Sequence, residues 1–166
     1  MKKLHVDEIV GALIEFCLSI EKVEMSINRI KDNSLEGINI VDEDVLSSHF
    51  FALAIFVADY STFTVFGDTQ IKNIILDKFY DAIKVTFPEY YDLFLNLVND
   101  YAKVYTDKNK KEPLLALGLF LSQCITEEKK ENIILAMKCS TEFMSRFMTT
   151  TDLLKKINSD YNIALE

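Results

Sequence analysis

The stretch FFALAIFVADYSTFTVFGD, from Phe50 to Asp68, decides the fold because it is apolar around almost its whole circumference. A helix that is apolar on every side is either buried in the centre of a protein or placed in a membrane. The apolar run ends at Phe66, short of the roughly 20 residues that a membrane span needs. A charge such as Asp59 near the centre of a lone span would also cost about 3 kcal/mol. The stretch therefore predicts the central helix of a globular fold, and no membrane association.

The segments on either side of this helix also follow helical periodicity, and none alternates in the manner of a strand. The 166 residues include only 4 glycines and 2 prolines, so we expect long elements. We predict an all-α fold: one single-domain bundle of about six helices, with a long heptad-patterned N-terminal helix and a central apolar second helix. The domain spans residues 1–166, and its predicted helices cover about 6–31, 42–66, 68–86, 89–105, 113–125 and 126–157.

The N-terminal helix carries two apolar series with a spacing of seven residues. They are Val6, Leu13, Ile20 and Ile27, and Ile9, Phe16, Val23 and Ile30. In the C-terminal half the apolar stripe narrows between charged residues, as is typical of a seam between two helices. We therefore predict a self-association seam, which consists of Ile20, Val23, Ile27 and Ile30. A homodimer with twofold symmetry is the simplest closed assembly that such a seam can form.

Acidic residues are concentrated between Lys31 and Lys72, where the sequence has seven acids and no basic residue. Most of the net charge of −8 comes from this interval. Part of the pattern has a structural explanation, since Asp42 is a suitable N-cap for the second helix. The alternative is an acidic patch, in the loop 32–44, that attracts a basic partner protein. The residues of this acidic patch are Asp32, Glu36, Asp42, Glu43 and Asp44.

Asp59 lies on the least apolar face of the central helix and has two interpretations. It either accepts a hydrogen bond from a neighbouring tyrosine or hydroxyl at the edge of the bundle, or lines a pocket that raises its pKa. The aromatic residues and methionines of the last helix are spaced as core residues, but methionine also lines adaptable apolar pockets. The residues of this possible pocket are Asp59, Met137, Phe143, Met144 and Phe147.

The sequence contains no glycine-rich phosphate loop, no HExxH, no GxSxG and no EF-hand spacing. Neither histidine has a glutamate three residues before it, as di-metal helical bundles require. We therefore predict no catalytic residue, no metal site and no cofactor, although helical enzymes without local motifs leave the question of activity open. The acidic net charge and the lack of a basic cluster argue against nucleic-acid binding.

The three cysteines form no CxxC pair, and each lies among apolar residues. They predict free, buried thiols and a cytoplasmic protein. An N-terminal signal peptide is not expected, because Asp7 and Glu8 interrupt the first apolar residues. The function that we expect is a non-enzymatic protein–protein interaction or regulatory module that self-associates through the N-terminal helix. Two alternatives stay open: an acidic inhibitor or immunity-type protein that binds a basic partner, and a sensor of apolar small molecules.

Overall fold

The computed structural model describes residues 2–31, 38–128 and 132–165. Within these residues the chain forms seven helices and one pair of short strands. The helices are α1 (Val6–Leu18), α2 (Ile20–Lys31), α3 (Glu43–Phe66), α4 (Gln70–Thr86), α5 (Tyr91–Thr106), α6 (Pro113–Cys124) and α7 (Ile133–Asp160). The strands are β1 (Lys2–His5) and β2 (Tyr161–Ala164). The predicted all-α bundle is confirmed.

The central helix is α3, which packs against α1, α2, α4, α5 and α7. Asp42 caps its N-terminus by accepting hydrogen bonds from the backbone N–H groups of Asp44 and Val45, at 3.1 and 3.0 Å. Gly67 ends it with a φ of 61°, a conformation that favours glycine. By length and composition α3 also meets the criteria for a membrane span, but 67% of its most apolar window is buried inside the fold. This burial is the pattern of a core helix.

The prediction of one unbroken helix over residues 6–31 is wrong, because the chain breaks at Ser19 into α1 and α2. Ser19 has an extended backbone, with φ −62° and ψ 138°. Its carbonyl oxygen accepts hydrogen bonds from the N–H groups of Lys22 and Val23, at 3.0 and 3.1 Å, so it starts a new helix. The heptad pattern continues across the break because both helices bury an apolar face.

The residues of the predicted self-association seam lie mostly inside the chain. Val23, Ile27 and Ile30 are only 2%, 4% and 1% exposed, and they belong to the hydrophobic core. Ile20, directly after the break, is 66% exposed. The narrow stripe of α2 is therefore buried against the rest of the same chain. The homodimer itself stays a prediction, but three of these four side chains are not at the surface.

The C-terminal part of the chain differs from the prediction in two ways. The last helix begins at Ile133 and not near residue 126, and it continues without a break to Asp160. The strands β1 and β2 were not predicted; they pair in parallel, with Lys2 opposite Tyr161. Four-residue strands are too short to give a recognisable alternation, and the pairing joins residues from opposite ends of the sequence.

One close helix packing in the described part of the bundle involves Gly118 of α6. A Cβ atom at this position would lie 2.0 Å from Oγ of Ser140 and 2.2 Å from the carbonyl oxygen of Ala136, both in α7. Oγ of Ser140 also donates a hydrogen bond of 2.9 Å to the carbonyl oxygen of Leu114. The close approach at Gly118 therefore holds α6 against α7.

Candidate functional site

A cleft of about 280 Å³ lies between α4 and α5, with α3 as its floor. Both α4 and α5 pack against α3, but they make few contacts with each other, and this separation leaves the cleft open. Its walls are mainly aromatic and aliphatic. The residues that line it are Phe56, Asp59, Tyr60, Phe63, Lys72, Leu76, Tyr80, Leu95, Val98, Asn99, Ala102 and Thr106. We call this the α4–α5 cleft.

Asp59 is half-buried on the floor of the cleft, where Oδ2 accepts a hydrogen bond of 2.7 Å from the hydroxyl of Tyr80. Burial raises the pKa of Asp59, and the hydrogen bond from Tyr80 and the charge of Lys72 only partly offset that effect. The pKa of Tyr80 is also raised, by burial and by the neighbouring carboxylate, so its hydroxyl keeps its proton at neutral pH. The structure therefore combines both interpretations of Asp59: a tyrosine donates to it, and it lines a pocket.

Lys72 lies at the edge of the cleft, and its amine already interacts with two neighbouring side chains. Its Nζ forms an ion pair with Asp68 at 2.9 Å and lies 5.6 Å from the centroid of the Phe63 ring. Its side chain is only 14% exposed, which holds the amine in this place. Among the residues that the structure describes, Asp59 forms no ion pair, so the Asp59 charge lacks a direct counter-ion.

The other four residues of the predicted pocket do not line the cleft. Phe143 is 1% exposed and stacks on Phe56, and Phe147 packs against Tyr60, so both support the aromatic floor from behind. Met144 is half-buried on α7, and Met137 is 59% exposed on the same helix. The predicted pocket of Asp59, Met137, Phe143, Met144 and Phe147 is therefore not assembled, and of these five only Asp59 reaches the α4–α5 cleft.

The residues of α4 and α5 that complete this cleft were not predicted from the sequence. Lys72, Leu76 and Tyr80 have a spacing of four residues, which places them on one stripe of α4 beside the core stripe. On α5, Asn99 and Ala102 are three residues apart, a spacing that also places them on one face of the helix. The spacing of these residues can be read from the sequence, but the surfaces that they face depend on how the helices pack.

A second charged group, Glu142 of α7, is buried near the break between α1 and α2. Glu142 accepts hydrogen bonds from Ser26 and from Nη1 of Arg29, the latter at 3.2 Å, and forms an ion pair of 3.2 Å with Nε of Arg146. Burial on its own raises the pKa of Glu142, but these hydrogen bonds and positive charges together lower it below its usual value. The negative charge at this position is therefore stabilised, in contrast to the charge of Asp59.

Arg146 also explains how the chain tolerates the break at Ser19. Its guanidinium donates to the carbonyl oxygen of Cys17, at 3.3 Å, and to that of Lys22. Cys17 is in the last turn of α1, where carbonyl groups have no partner within the helix, so this donor satisfies a group at the break, whereas Lys22 is in the first turn of α2. A small cavity of about 150 Å³ remains beside this network. The network of Glu142 and Arg146 is thus a structural tie between α7 and the break.

The predicted acidic patch is only partly within the described residues. Asp32 and Glu36 lie outside them. Asp42 caps α3, and Glu43 forms an exposed ion pair of 3.2 Å with Lys31. Asp44 is exposed at the first turn of the helix. The two described interactions stabilise α3, and the binding of a basic partner by this patch stays a prediction.

An apolar face on α7 is exposed at the surface. Ile133, Ile134, Met137 and Met148 are each more than half exposed. Beside them an open groove of about 590 Å³ runs between α7 and the start of α6, where Pro113 lines it. Apolar surface of this kind on one helix is typical of a protein-binding face.

Groups with catalytic or metal-binding chemistry are dispersed over the described part of the chain. No set of three or more His, Cys, Asp or Glu side chains in residues 2–31, 38–128 and 132–165 is placed to hold a metal ion. His49 is buried, and its Nδ1 lies 2.7 Å from the hydroxyl of Tyr101. Cys17 and Cys139 are buried and form no disulfide, and burial raises the pKa of Cys139 to about 12 and that of Cys17 above its usual value, so these two thiols stay protonated at neutral pH.

Comparisons of the chain with protein-family models, with curated proteins and with solved structures found no match. The features of the described residues that bear on function are therefore the α4–α5 cleft and the exposed α7 face.

Proposed function

We propose that the protein is a non-enzymatic binding domain for a small molecule, with the α4–α5 cleft as its site. The observation that carries this proposal is the position of Asp59: a half-buried carboxyl group without an ion-pair partner among the described residues, on the floor of an aromatic cleft. A cleft with apolar walls and a few convergent polar groups has the composition of a ligand site.

The energetics of the two partly buried carboxylates support this choice. Glu142 is ionised easily because Ser26, Arg29 and Arg146 surround it, as expected of a structural group. Asp59 is ionised less easily than an aspartate in water, so its charge opposes folding at neutral pH. Groups whose protonation is perturbed in this way, and that lie in a cleft, are concentrated at functional sites. Asp59 is therefore the residue around which we place the ligand.

The first test is an NMR titration with 2-phenylethanol, a neutral probe that has one aromatic ring and one hydroxyl. Binding in the cleft should shift the backbone amide signals around Asp59, Tyr80 and Asn99. The substitution Ala102→Leu fills the cleft from α5 and should abolish these shifts. Ala12→Leu, at a half-buried position of α1 away from the cleft, is the matched control and should leave them unchanged.

Two results would contradict the proposal. In one, neither 2-phenylethanol nor its protonated amine analogue, phenethylamine, moves any signal around the cleft at millimolar concentration. In the other, Ala102→Leu and Ala12→Leu titrate in the same way as the unsubstituted protein while both keep their melting temperatures. Either result would mean that the cleft does not take up a small molecule.

We also place the protein in the cytoplasm, because free thiols favour a reducing compartment.

A second candidate function is self-association, which we now assign to the exposed face of α7 and not to α2. The residues Met137, Thr141, Met144 and Met148 follow one another at spacings of four, three and four. This spacing is the same in both directions along the helix, so it is compatible with a twofold antiparallel pair of α7 helices. Such a pair would place Met137 against the partner's Met148. The spacing therefore favours pairing of this face of α7 with the same face of a second copy of the chain.

A further inference from the structure

We propose that the α4–α5 cleft is selective for an organic cation, namely an amine joined to a small apolar group. This inference rests on the proposed binding function and adds the chemical class of the ligand.

The charged residues that line the cleft indicate the class of ligand. Asp59 and Lys72 are the charged residues that line the cleft, and the Lys72 amine is paired with Asp68, which lies outside the lining. A bound ammonium group would give Asp59 the counter-ion that it lacks among the described residues. A bound carboxylate or phosphate would instead face Asp59 across a cleft with apolar walls, where repulsion between like charges is weakly screened. The charge balance favours a cation.

The aromatic lining of the cleft also favours a cation. Four rings border the cleft, those of Phe56, Tyr60, Phe63 and Tyr80. The faces of aromatic rings attract cations within about 6 Å of their centroids. One ring already does so: Nζ of Lys72 lies 5.6 Å from the centroid of Phe63. The same chemistry is therefore available to the cation of a ligand.

The size and polarity of the cleft limit the ligand further. The cleft volume of about 280 Å³ is at the lower end of small-molecule sites, which usually measure roughly 300–1,000 Å³. Leu76, Leu95 and Val98 provide an apolar wall for the body of the ligand. The net charge of −8 raises the local concentration of cations around the whole protein. A single ring or a short alkyl chain with one amine fits these limits.

The decisive experiment compares three probes that share one apolar body: phenethylamine, which is protonated at pH 7, neutral 2-phenylethanol, and anionic 3-phenylpropionate. Each is titrated into the full chain by NMR at pH 7 and at 150 mM salt. We expect a Kd for phenethylamine at least tenfold below that for 2-phenylethanol, and no shifts around the cleft with 3-phenylpropionate.

The substitution Asp59→Asn should bring the Kd ratio between the alcohol and the amine from tenfold or more down to about one. The matched control is Asp77→Asn, which removes the same charge from an exposed position of α4 and should keep the ratio. If both variants lower the ratio equally, the preference reflects the overall negative charge, and the inference is wrong. Melting curves of both variants confirm that they are folded.

The outcomes separate this inference from the proposed function. If 2-phenylethanol and phenethylamine bind in the cleft with the same Kd, and Ala102→Leu blocks both, the cleft binds small molecules but does not select cations. If neither probe moves the signals of the cleft, the proposed function and the inference both fail.

Discussion

The hydroxyl of Tyr80 lies 2.7 Å from Oδ2 of Asp59, so a side chain of α4 donates directly to the carboxylate on the floor of the α4–α5 cleft. This hydrogen bond favours the ionised form of Asp59, but burial disfavours it more strongly, and the pKa is raised. The chain thus keeps a carboxylate where its charge is poorly compensated. A bound cation would supply the missing compensation.

The first prediction is that Asp59→Asn stabilises the protein at pH 7. Asparagine has no charge to bury, and its amide oxygen still accepts the hydrogen bond from Tyr80. We expect the free energy of unfolding to increase by on the order of 1 kcal/mol. Urea denaturation of the two proteins measures the difference.

The pH dependence of this difference follows from the raised pKa of Asp59. The folded state holds the proton more tightly than the unfolded state. The favourable contribution of the protonated group is therefore complete below the usual aspartate pKa of about 3.9 and is lost as the pH rises through the folded pKa. The two proteins should have similar stabilities near pH 3.5 and differ increasingly toward pH 7. A constant difference over this range would contradict the assignment.

The second prediction concerns Glu142, for which the sign is the opposite. Glu142→Gln weakens the contacts of Arg29 and Arg146 and should lower the free energy of unfolding by about 2–4 kcal/mol at pH 7. Because the pKa of Glu142 is lowered, its stabilisation is present above the usual glutamate pKa and is lost as the pH falls through the folded pKa. The gap between the two proteins should shrink in acid. Glu21→Gln, at an exposed position of α2, is the control and should change little.

The third prediction tests the contact between α6 and α7. In Gly118→Ala the new methyl group would meet Ser140 and the backbone of Ala136, so we expect a loss of about 1–3 kcal/mol. Gly11→Ala is the matched control, since a Cβ there meets nothing within 4 Å and alanine is the better helix former. The control should gain about 0.5–1 kcal/mol. Equal melting temperatures for the two variants would mean that the close approach is absent.

The fourth prediction separates core from association surface. Ile27→Glu places a charge in the core and should unfold the chain, whereas Met137→Glu should leave the melting temperature nearly unchanged. If the exposed face of α7 joins two copies, Met137→Glu should also reduce the mass in solution from twice 19.1 kDa to 19.1 kDa, as measured by light scattering. A folded monomer of Ile27→Glu, obtained from a dimeric parent, would restore the seam on α2.

The parts of the fold that the sequence predicted are those with local signals. The core helix α3 has a cap at Asp42, an apolar run and a terminating Gly67, and all three are read from adjacent residues. The break at Ser19 has no comparable signal, because the heptad pattern continues through it. What stabilises the broken ends is Arg146, more than a hundred residues further along the chain. Such a tertiary hydrogen bond cannot be inferred from the periodicity of α1 and α2.

The candidate site shows the same division between local and tertiary information. Asp59 was identified because a charge in an apolar helix is visible in the sequence alone. Its hydrogen-bond donor, Tyr80, and the position of Lys72 depend on where α4 packs. The Met and Phe residues of α7 were assigned to the same pocket because they share a chemical type, yet α7 directs Phe143 into the core and Met137 to the surface.

The parallel pairing of β1 with β2 has a consequence for synthesis. β1 is synthesised before its partner strand, which is made only after all seven helices of the described chain. At about 5–20 residues per second the first strand waits on the order of ten seconds for its partner. The helices can therefore assemble on the nascent chain while the strand pair is still absent.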